Sequence, residues 1–284
     1  MVGGSIFAIL GIAYLFWSKY LSKRLMDVDL TWKNWYWLFF WAIFTHPLLD
    51  SCTTYGTQLF QPFSDYRVGF NNISVADPVY TVPFAICLLI ARFMTRGSKW
   101  RSYVNWAGII ISSAYLVFTV FNKFKVNRVF EKSLARDGIE YSRYTTTPTI
   151  LNNLLWTGTA EGDTAYYHGM YSLLDKKEEV LKFNVIPKNY HLLEGREDTR
   201  AVQVLSWFSN GYYNVIPYNG DTIQLNDLRF GTQSIEYTGR PEDFIFGFIL
   251  NYKDGEFEVQ ENRAAREGDA GQMFSDLWER MMGI

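Results

Sequence analysis

The sequence predicts a multi-pass α-helical membrane domain followed by a soluble α+β domain. The first part of this prediction rests on two apolar runs, because no charged residue occurs in residues 1–17 or 104–122. A membrane-spanning helix needs about 20 mostly apolar residues, within a range of about 17–25. The second part rests on the residues from Lys123 onward, where charges are frequent and turn signals recur. The mean hydropathy of −0.09 therefore averages over two unlike halves.

Residues 1–122 are predicted to form the membrane domain, with about four transmembrane helices. The segments are Met1–Trp17, Trp35–Leu49, Val79–Met94 and Val104–Asn122. The first segment could instead be a signal peptide, but it lacks a basic region before its apolar run and a clear cleavage site after it. Residues 123–140 are predicted to be a connecting helix that continues the last span.

Residues 141–284 are predicted to form the soluble α+β domain. Asn-Gly and Asp-Gly pairs are the strongest short hairpin signals, and they occur at Asn219–Gly220 and Asp254–Gly255. Strand-like stretches flank both pairs, and a further pair of stretches, 154–159 and 165–174, flanks residues 161–163. Helices are predicted at Arg200–Ser209 and at Gln272–Met282.

Composition and charge restrict the class of partner. A net charge of −2, from 27 basic and 29 acidic residues, gives no reason to expect a nucleic acid. Aromatic residues make up 18% of the chain, and tryptophan and tyrosine are favoured at membrane–water interfaces. The lipid bilayer is therefore the expected partner, and the expected location is the cell (inner or plasma) membrane.

The distribution of lysine and arginine predicts the orientation. Loops 18–34 and 95–103 are basic, whereas loop 51–78 contains Arg67 as its single basic residue. With four spans, this pattern places the C-terminal domain on the extracytoplasmic side. The basic residues that follow the last span favour the opposite orientation.

The stretch His46–Arg67, HPLLDSCTTYGTQLFQPFSDYR, is the most informative motif of the sequence. His46 and Asp50 are four residues apart, so they share one face of a helix. An imidazole and a carboxylate at this spacing could hold one divalent metal or form a pair for acid–base chemistry. Alternatively, the helix ends near Phe44 and these polar residues cap it at the membrane surface.

This stretch resembles the YdjM-like family, whose members are classed as membrane-bound metal-dependent hydrolases. The likeness continues through Asp77-Pro78-Val79-Tyr80-Thr81 and recurs in the C-terminal half, for example at Asp227-Leu228-Arg229-Phe230-Gly231. The resemblance implies a hydrolase with His46 and Asp50 as metal ligands and zinc as the most plausible metal. It also implies catalytic roles for Asp77, Arg67 and Tyr55, with Arg67 suited to an anionic group of a lipid or phosphoester substrate.

The sequence departs from the family pattern at its start. Family members usually begin with a segment that carries Pro-Asp-x-Asp and His-Arg-x-x-x-His-Ser motifs, and this chain starts at MVGGSIFAIL. The metal site that the sequence predicts is therefore incomplete, because a catalytic zinc takes three protein ligands. The alternative function is that of a non-catalytic, membrane-anchored binding or assembly protein, and the oligomeric state is not predicted.

Other polar residues are expected to have structural roles. His168 and His191 are predicted to be ordinary structural histidines. The run Asp175–Glu179 is predicted to be a solvated turn, and Asp227 and Arg229 are expected to face solvent or each other.

Overall fold

The structure is a computed structural model that describes residues 31–95, 97–232, 237–262 and 270–283. The chain divides into two compact units, residues 1–70 and 71–284, and each is described here by itself. Within the described residues, the first unit contains the helix α1 (Trp32–Asp50). The second contains helices α2 (Pro78–Phe93), α3 (Lys99–Arg136), α4 (Arg200–Phe208) and α5 (Ala270–Met281).

In the described part of the chain, eight strands follow α3 and form two antiparallel sheets of four strands each. The first sheet has the order β1-β2-β3-β4 and the second has the order β5-β6-β7-β8. The strand bounds are β1 Arg143–Pro148, β2 Leu155–Glu161, β3 Ala165–Ser172, β4 Phe183–Pro187, β5 Tyr213–Pro217, β6 Ile223–Asp227, β7 Gly247–Lys253 and β8 Glu256–Asn262.

The predicted multi-pass membrane domain is wrong. Among the described residues, α3 is the one helix that is both long and apolar enough to cross a membrane. The predicted span Val104–Asn122 lies inside it, and Met1–Trp17 lies outside the described residues. The predicted span Val79–Met94 corresponds to α2, whose 16 residues reach about 24 Å against the roughly 30 Å of a hydrocarbon core.

The predicted span Trp35–Leu49 lies in α1, which does not meet the same criterion of length and apolarity. The helix has 19 residues, but Lys33 and Asn34 occupy its first turn, and Thr45, His46 and Asp50 lie near its end. The polar ends leave too short an apolar stretch between them. The predicted domain boundaries at residues 122 and 140 stay a prediction, and α3 runs through the first of them without a break.

The C-terminal part of α3 forms the core of the first sheet. Val126, Val129 and Phe130 of the helix pack against Trp156 and Tyr171 of β2 and β3. All five side chains are at most 3% exposed, so this helix end lies against protein. Gly158 of β2 permits the contact, since an added Cβ would lie 2.2 Å from a ring carbon of Phe130.

The second sheet buries its apolar face under the short helix α4. Val202 and Leu205 of α4 pack with Val215, Leu225 and Leu250 of strands β5, β6 and β7. A third cluster contains residues of both sheets, including Tyr166 of β3 and Ile216 of β5. The two sheets of the second unit therefore share apolar core.

Candidate functional site

His46 and Asp50 lie together on the last turns of α1. The Nε2 atom of His46 is 3.4 Å from an Oδ2 atom of Asp50, as their spacing predicts. Their side chains are 77% and 50% exposed, so neither is held in place by surrounding protein. An exposed pair of this kind contributes little to stability. It does present an imidazole nitrogen and a carboxylate oxygen toward one point in space.

Side-chain hydroxyl groups donate hydrogen bonds to carbonyl oxygens at the C-terminal end of α1. Ser51 donates to the carbonyl oxygen of Leu48 at 2.7 Å, and Thr53 donates to that of Asp50 at 2.8 Å. The last carbonyls of a helix have no intrahelical donor, so these side chains satisfy groups that would otherwise need water. The Thr-rich sequence after Asp50 thus fixes where the helix ends.

The rest of the motif is a loop closed by a short antiparallel bridge. Thr57 and Val68 exchange two backbone hydrogen bonds of 2.9 Å, and the backbone N–H of Phe70 donates to the carbonyl of Ser51 at 2.7 Å. Gly56 has a φ of +67°, and a Cβ there would lie 3.0 Å from the carbonyl oxygen of Val68. A glycine is required at this position because the backbone is left-handed and the opposing strand is close.

Two of the predicted site residues lie next to this closed loop's bridge. Tyr55 is two residues before Thr57, and Arg67 directly precedes Val68. Tyr55 is 38% exposed, whereas Arg67 is half-buried. His46, Asp50, Tyr55 and Arg67 thus lie in one continuous segment of the first unit.

Asp77 belongs to the second unit, where it begins α2. Its Oδ1 accepts from the backbone N–H of Val79 at 2.9 Å, and its Oδ2 accepts from the hydroxyl of Tyr115 at 2.9 Å. The side chain is a helix N-cap, Pro78 occupies the first helical position, and the residue is 2% exposed. Both carboxylate oxygens thus have structural partners, and the Asp-Pro sequence at a helix start could have indicated the capping role.

The predicted zinc site is incomplete within the described residues. No group of three or more histidine, cysteine, aspartate or glutamate side chains suitable for a metal occurs among them. His46 and Asp50 fit two coordination positions, and a catalytic zinc takes three protein ligands. The metal itself therefore stays a prediction.

Sequence reasoning missed a chain of amide side chains at the end of the apolar run of α3. The amide of Asn72 donates to Thr119 at 2.8 Å, and that of Asn122 donates to Asn153 at 2.8 Å. Asn153 in turn donates to the backbone carbonyl of Asn72 at 2.8 Å. These contacts fasten two loops to one face of α3, because Thr119 and Asn122 are one turn apart.

A groove in the second unit was also missed. It has a volume of about 460 Å³ and is open to solvent. Trp207, which is 45% exposed, lies beside polar residues of α4 and the adjoining segments. The polar and aromatic lining includes Glu197, Gln203, Ser206, Asn210 and Tyr213. The exposure of Trp207 is a property of the fold.

The family comparison bears on the N-terminal part of the chain. Residues 3–126 match the model of the YdjM inner membrane protein family. The predicted resemblance to the YdjM-like family is therefore confirmed. The matched residues include α1, α2 and the apolar part of α3, and the eight strands lie beyond them.

No curated protein and no solved structure matches the chain. The YdjM match and the long apolar helix α3 together support association with a membrane. Neither finding concerns catalysis, the metal or the side of the membrane on which the strands lie.

Proposed function

We propose that this YdjM-like protein is a membrane-bound, metal-dependent hydrolase that acts on a lipid or phosphoester, with His46 and Asp50 as two ligands of a divalent metal. The observation that carries the proposal is the 3.4 Å approach of His46 Nε2 to Asp50 Oδ2 on an exposed helix end. The family resemblance supports it, because this pair lies within the matched residues. A bound metal would polarise the scissile group and lower the pKa of a bound water toward 7.

The other residues of the motif have roles that follow from their chemistry. The guanidinium of Arg67 can form two parallel hydrogen bonds to a phosphate. These bonds orient the phosphate and stabilise its negative charge. The hydroxyl of Tyr55 can donate a further hydrogen bond to the same group. The loop that carries both residues is closed by the Thr57–Val68 bridge. That bridge restricts the motion of the two segments it joins and so lowers the entropy lost on binding.

Metal content of the detergent-purified protein tests this proposal directly. Elemental analysis should find a stoichiometric divalent metal, zinc first, in the wild-type protein and a sharp loss in His46→Ala and Asp50→Asn. His191→Ala is the matched control, because His191 is also exposed but lies in the second unit. Absence of metal from the wild-type protein, or equal metal in all four proteins, would disprove the assignment of these ligands.

The role of Asp77 can be separated from catalysis by two substitutions. Asp77→Asn keeps an oxygen that can cap α2, whereas Asp77→Ala removes the cap at a cost of about 1 kcal/mol. If Asp77 only positions α2, release of phosphate from a phosphoester should survive in Asp77→Asn and should fall in Asp77→Ala together with thermal stability. Loss of activity in Asp77→Asn without loss of stability would instead assign it a proton-transfer role.

A second function is favoured by one observation, the open groove beside Trp207. In this alternative the protein is a membrane-anchored binding or assembly protein, and the groove of about 460 Å³ receives part of its partner. An exposed indole next to amide, hydroxyl and carboxylate groups is typical of a recognition surface. A photo-crosslinking residue at Trp207 should then give a discrete product in cells, and one at the exposed Leu181 should not. Equal crosslinking at both positions would argue against it.

A further inference from the structure

A second open cavity lies where α2 and α3 meet, at the N-terminal end of the long apolar helix. Its volume is about 430 Å³, which is within the range of sites for small ligands. The apolar part of its wall comes from Leu88 and Ala91 of α2. The polar side chains that line it are Arg92, Ser98, Arg101, Ser102 and Asn105.

The geometry of the helix pair brings the two arginines to one cavity. Arg92 lies in the last turn of α2, which ends at Phe93, and Arg101 lies in the first turn of α3. Arg101 and Asn105 are four residues apart and share one face of α3. Ser98 is the N-cap of α3 and accepts a hydrogen bond from the backbone N–H of Trp100 at 3.3 Å.

No acidic residue of the described part of the chain lines this cavity. Residues 88–105 contain four basic residues and no acidic residue. Among the described residues, Arg92 and Arg101 form no ion pair and no side-chain hydrogen bond. Two guanidinium groups that face one cavity repel each other, and the N-terminal end of a helix adds partial positive charge. An anion relieves both effects.

The position of the cavity along α3 indicates the source of that anion. The uncharged run of α3 begins at Val104, immediately after Arg101. Trp100 and Tyr103 are 68% and 62% exposed, and their rings lie edge to face with centroids 5.8 Å apart. Exposed tryptophan and tyrosine at the end of an apolar run are typical of the headgroup level of a bilayer. The abundant anionic group at the headgroup level of a bilayer is the phosphate of a lipid.

We propose that the cavity binds the headgroup phosphate of an anionic phospholipid through Arg92 and Arg101. Ser98, Ser102 and Asn105 supply neutral hydrogen bonds to the same headgroup. This site is separate from the His46–Asp50 pair and does not depend on the proposed hydrolase activity. The outcome of the lipid-binding test therefore does not affect the assignment of His46 and Asp50 as metal ligands.

The test uses the full chain reconstituted in phosphatidylcholine bilayers with trace spin-labelled lipids. Electron spin resonance should show that spin-labelled phosphatidylglycerol associates with the wild-type protein more strongly than spin-labelled phosphatidylcholine. Each basic residue near the membrane surface is expected to contribute about fivefold to this preference. The double variant Arg92→Gln/Arg101→Gln should reduce the preference by roughly 25-fold or to unity, whichever comes first.

A matched control removes the same charge from the other end of α3. Arg128→Gln/Lys132→Gln also deletes two exposed basic residues, and it should retain the preference. Single Arg92→Gln and Arg101→Gln variants serve if the double variant does not fold, and each should lose about fivefold. An unchanged preference in the arginine variants, or an equal loss in the control, would overturn the proposal.

A second arm distinguishes a lipid from a soluble phosphate. Titration of the detergent-solubilised protein with inorganic phosphate should show no saturable binding that depends on Arg92 and Arg101. Saturable binding that disappears in the double variant, together with no preference for phosphatidylglycerol, would assign the cavity to a soluble phosphate and reject the lipid.

Discussion

Protonation of His168 should make the folded protein less stable as the pH falls below neutrality. The residue lies on β3, is 1% exposed, and its Nδ1 is 2.9 Å from the hydroxyl of Thr159. Because the Thr159 hydroxyl donates to the carbonyl of Leu228, it is placed to accept from Nδ1. The Nε2 of His168 has no hydrogen-bond partner among the described residues. A second ring proton would therefore have no acceptor in a site without water contact.

The magnitude follows from the pKa. Burial lowers the pKa of His168 from 6.5 to about 4. Between these values the unfolded chain takes up a proton that the folded chain does not, so the free energy of unfolding falls as the pH falls. The His168 contribution to this loss is about 2 kcal/mol at pH 5 and approaches about 3 kcal/mol near pH 4.

Urea unfolding of the detergent-purified chain at pH 7 and pH 5, followed by circular dichroism of the strands, measures this loss. The variant His168→Asn cannot titrate in this range and retains a group that can hydrogen-bond to Thr159. It is expected to be less stable than the wild type at pH 7 because of the volume lost. Between pH 7 and pH 5 it should lose about 2 kcal/mol less stability than the wild type loses. The carboxylates contribute equally to the pH dependence of both proteins. Their contribution therefore cancels when the change in the free energy of unfolding between pH 7 and pH 5 is compared for the variant and the wild type.

His191→Asn is the control, because it makes the same substitution at a histidine that is exposed rather than buried. The reasoning about His168 would be refuted if His168→Asn and the wild-type protein lost the same stability between pH 7 and pH 5.

Two further predictions concern packing and a buried ion pair. Gly158→Ala should lower the stability by about 1–3 kcal/mol in thermal unfolding, because its Cβ would overlap the ring of Phe130, whereas Gly97→Ala, where the added Cβ meets open space, should be neutral. Equal melting temperatures for these two variants would contradict the packing argument. Asp175→Asn should cost about 3–5 kcal/mol, because it leaves the buried Arg280 guanidinium without its charged partner. Proteolysis of α5 should become faster in that variant, and an unchanged rate would show that the pair does not hold the helix.

Local structure in the C-terminal half was largely predictable from the sequence. The hairpin predicted around Asn219–Gly220 is confirmed as β5 and β6, and that around Asp254–Gly255 is confirmed as β7 and β8. The helix predicted at Arg200–Ser209 is confirmed at Arg200–Phe208. These features depend on neighbours in the chain, since a left-handed glycine such as Gly220, with a φ of +59°, fixes a turn by itself.

The candidate site was predictable only in part. The His46–Asp50 approach follows from the helical spacing of the two residues. The capping role of Asp77 is local to the start of α2, whereas its contact with Tyr115, 38 positions away, depends on the packing of α2 against α3. The number of spans was overestimated, because aromatic residues in α1 suggested a depth in the membrane that its polar ends do not allow.

The sequence by itself determined the family resemblance, the uncharged run of α3, the hairpin turns and the convergence of His46 with Asp50. The tertiary structure decided the environment of groups that are distant in the chain. The run Asp175–Glu179 was predicted to be a solvated turn, yet Asp175 forms a buried, two-pronged ion pair with Arg280, 105 residues away. Asp227 and Arg229, which could have faced solvent or each other, form a buried pair. Spacing specifies which neighbours share a helix face or a turn, whereas the exposure of a charge depends on which distant elements pack over it.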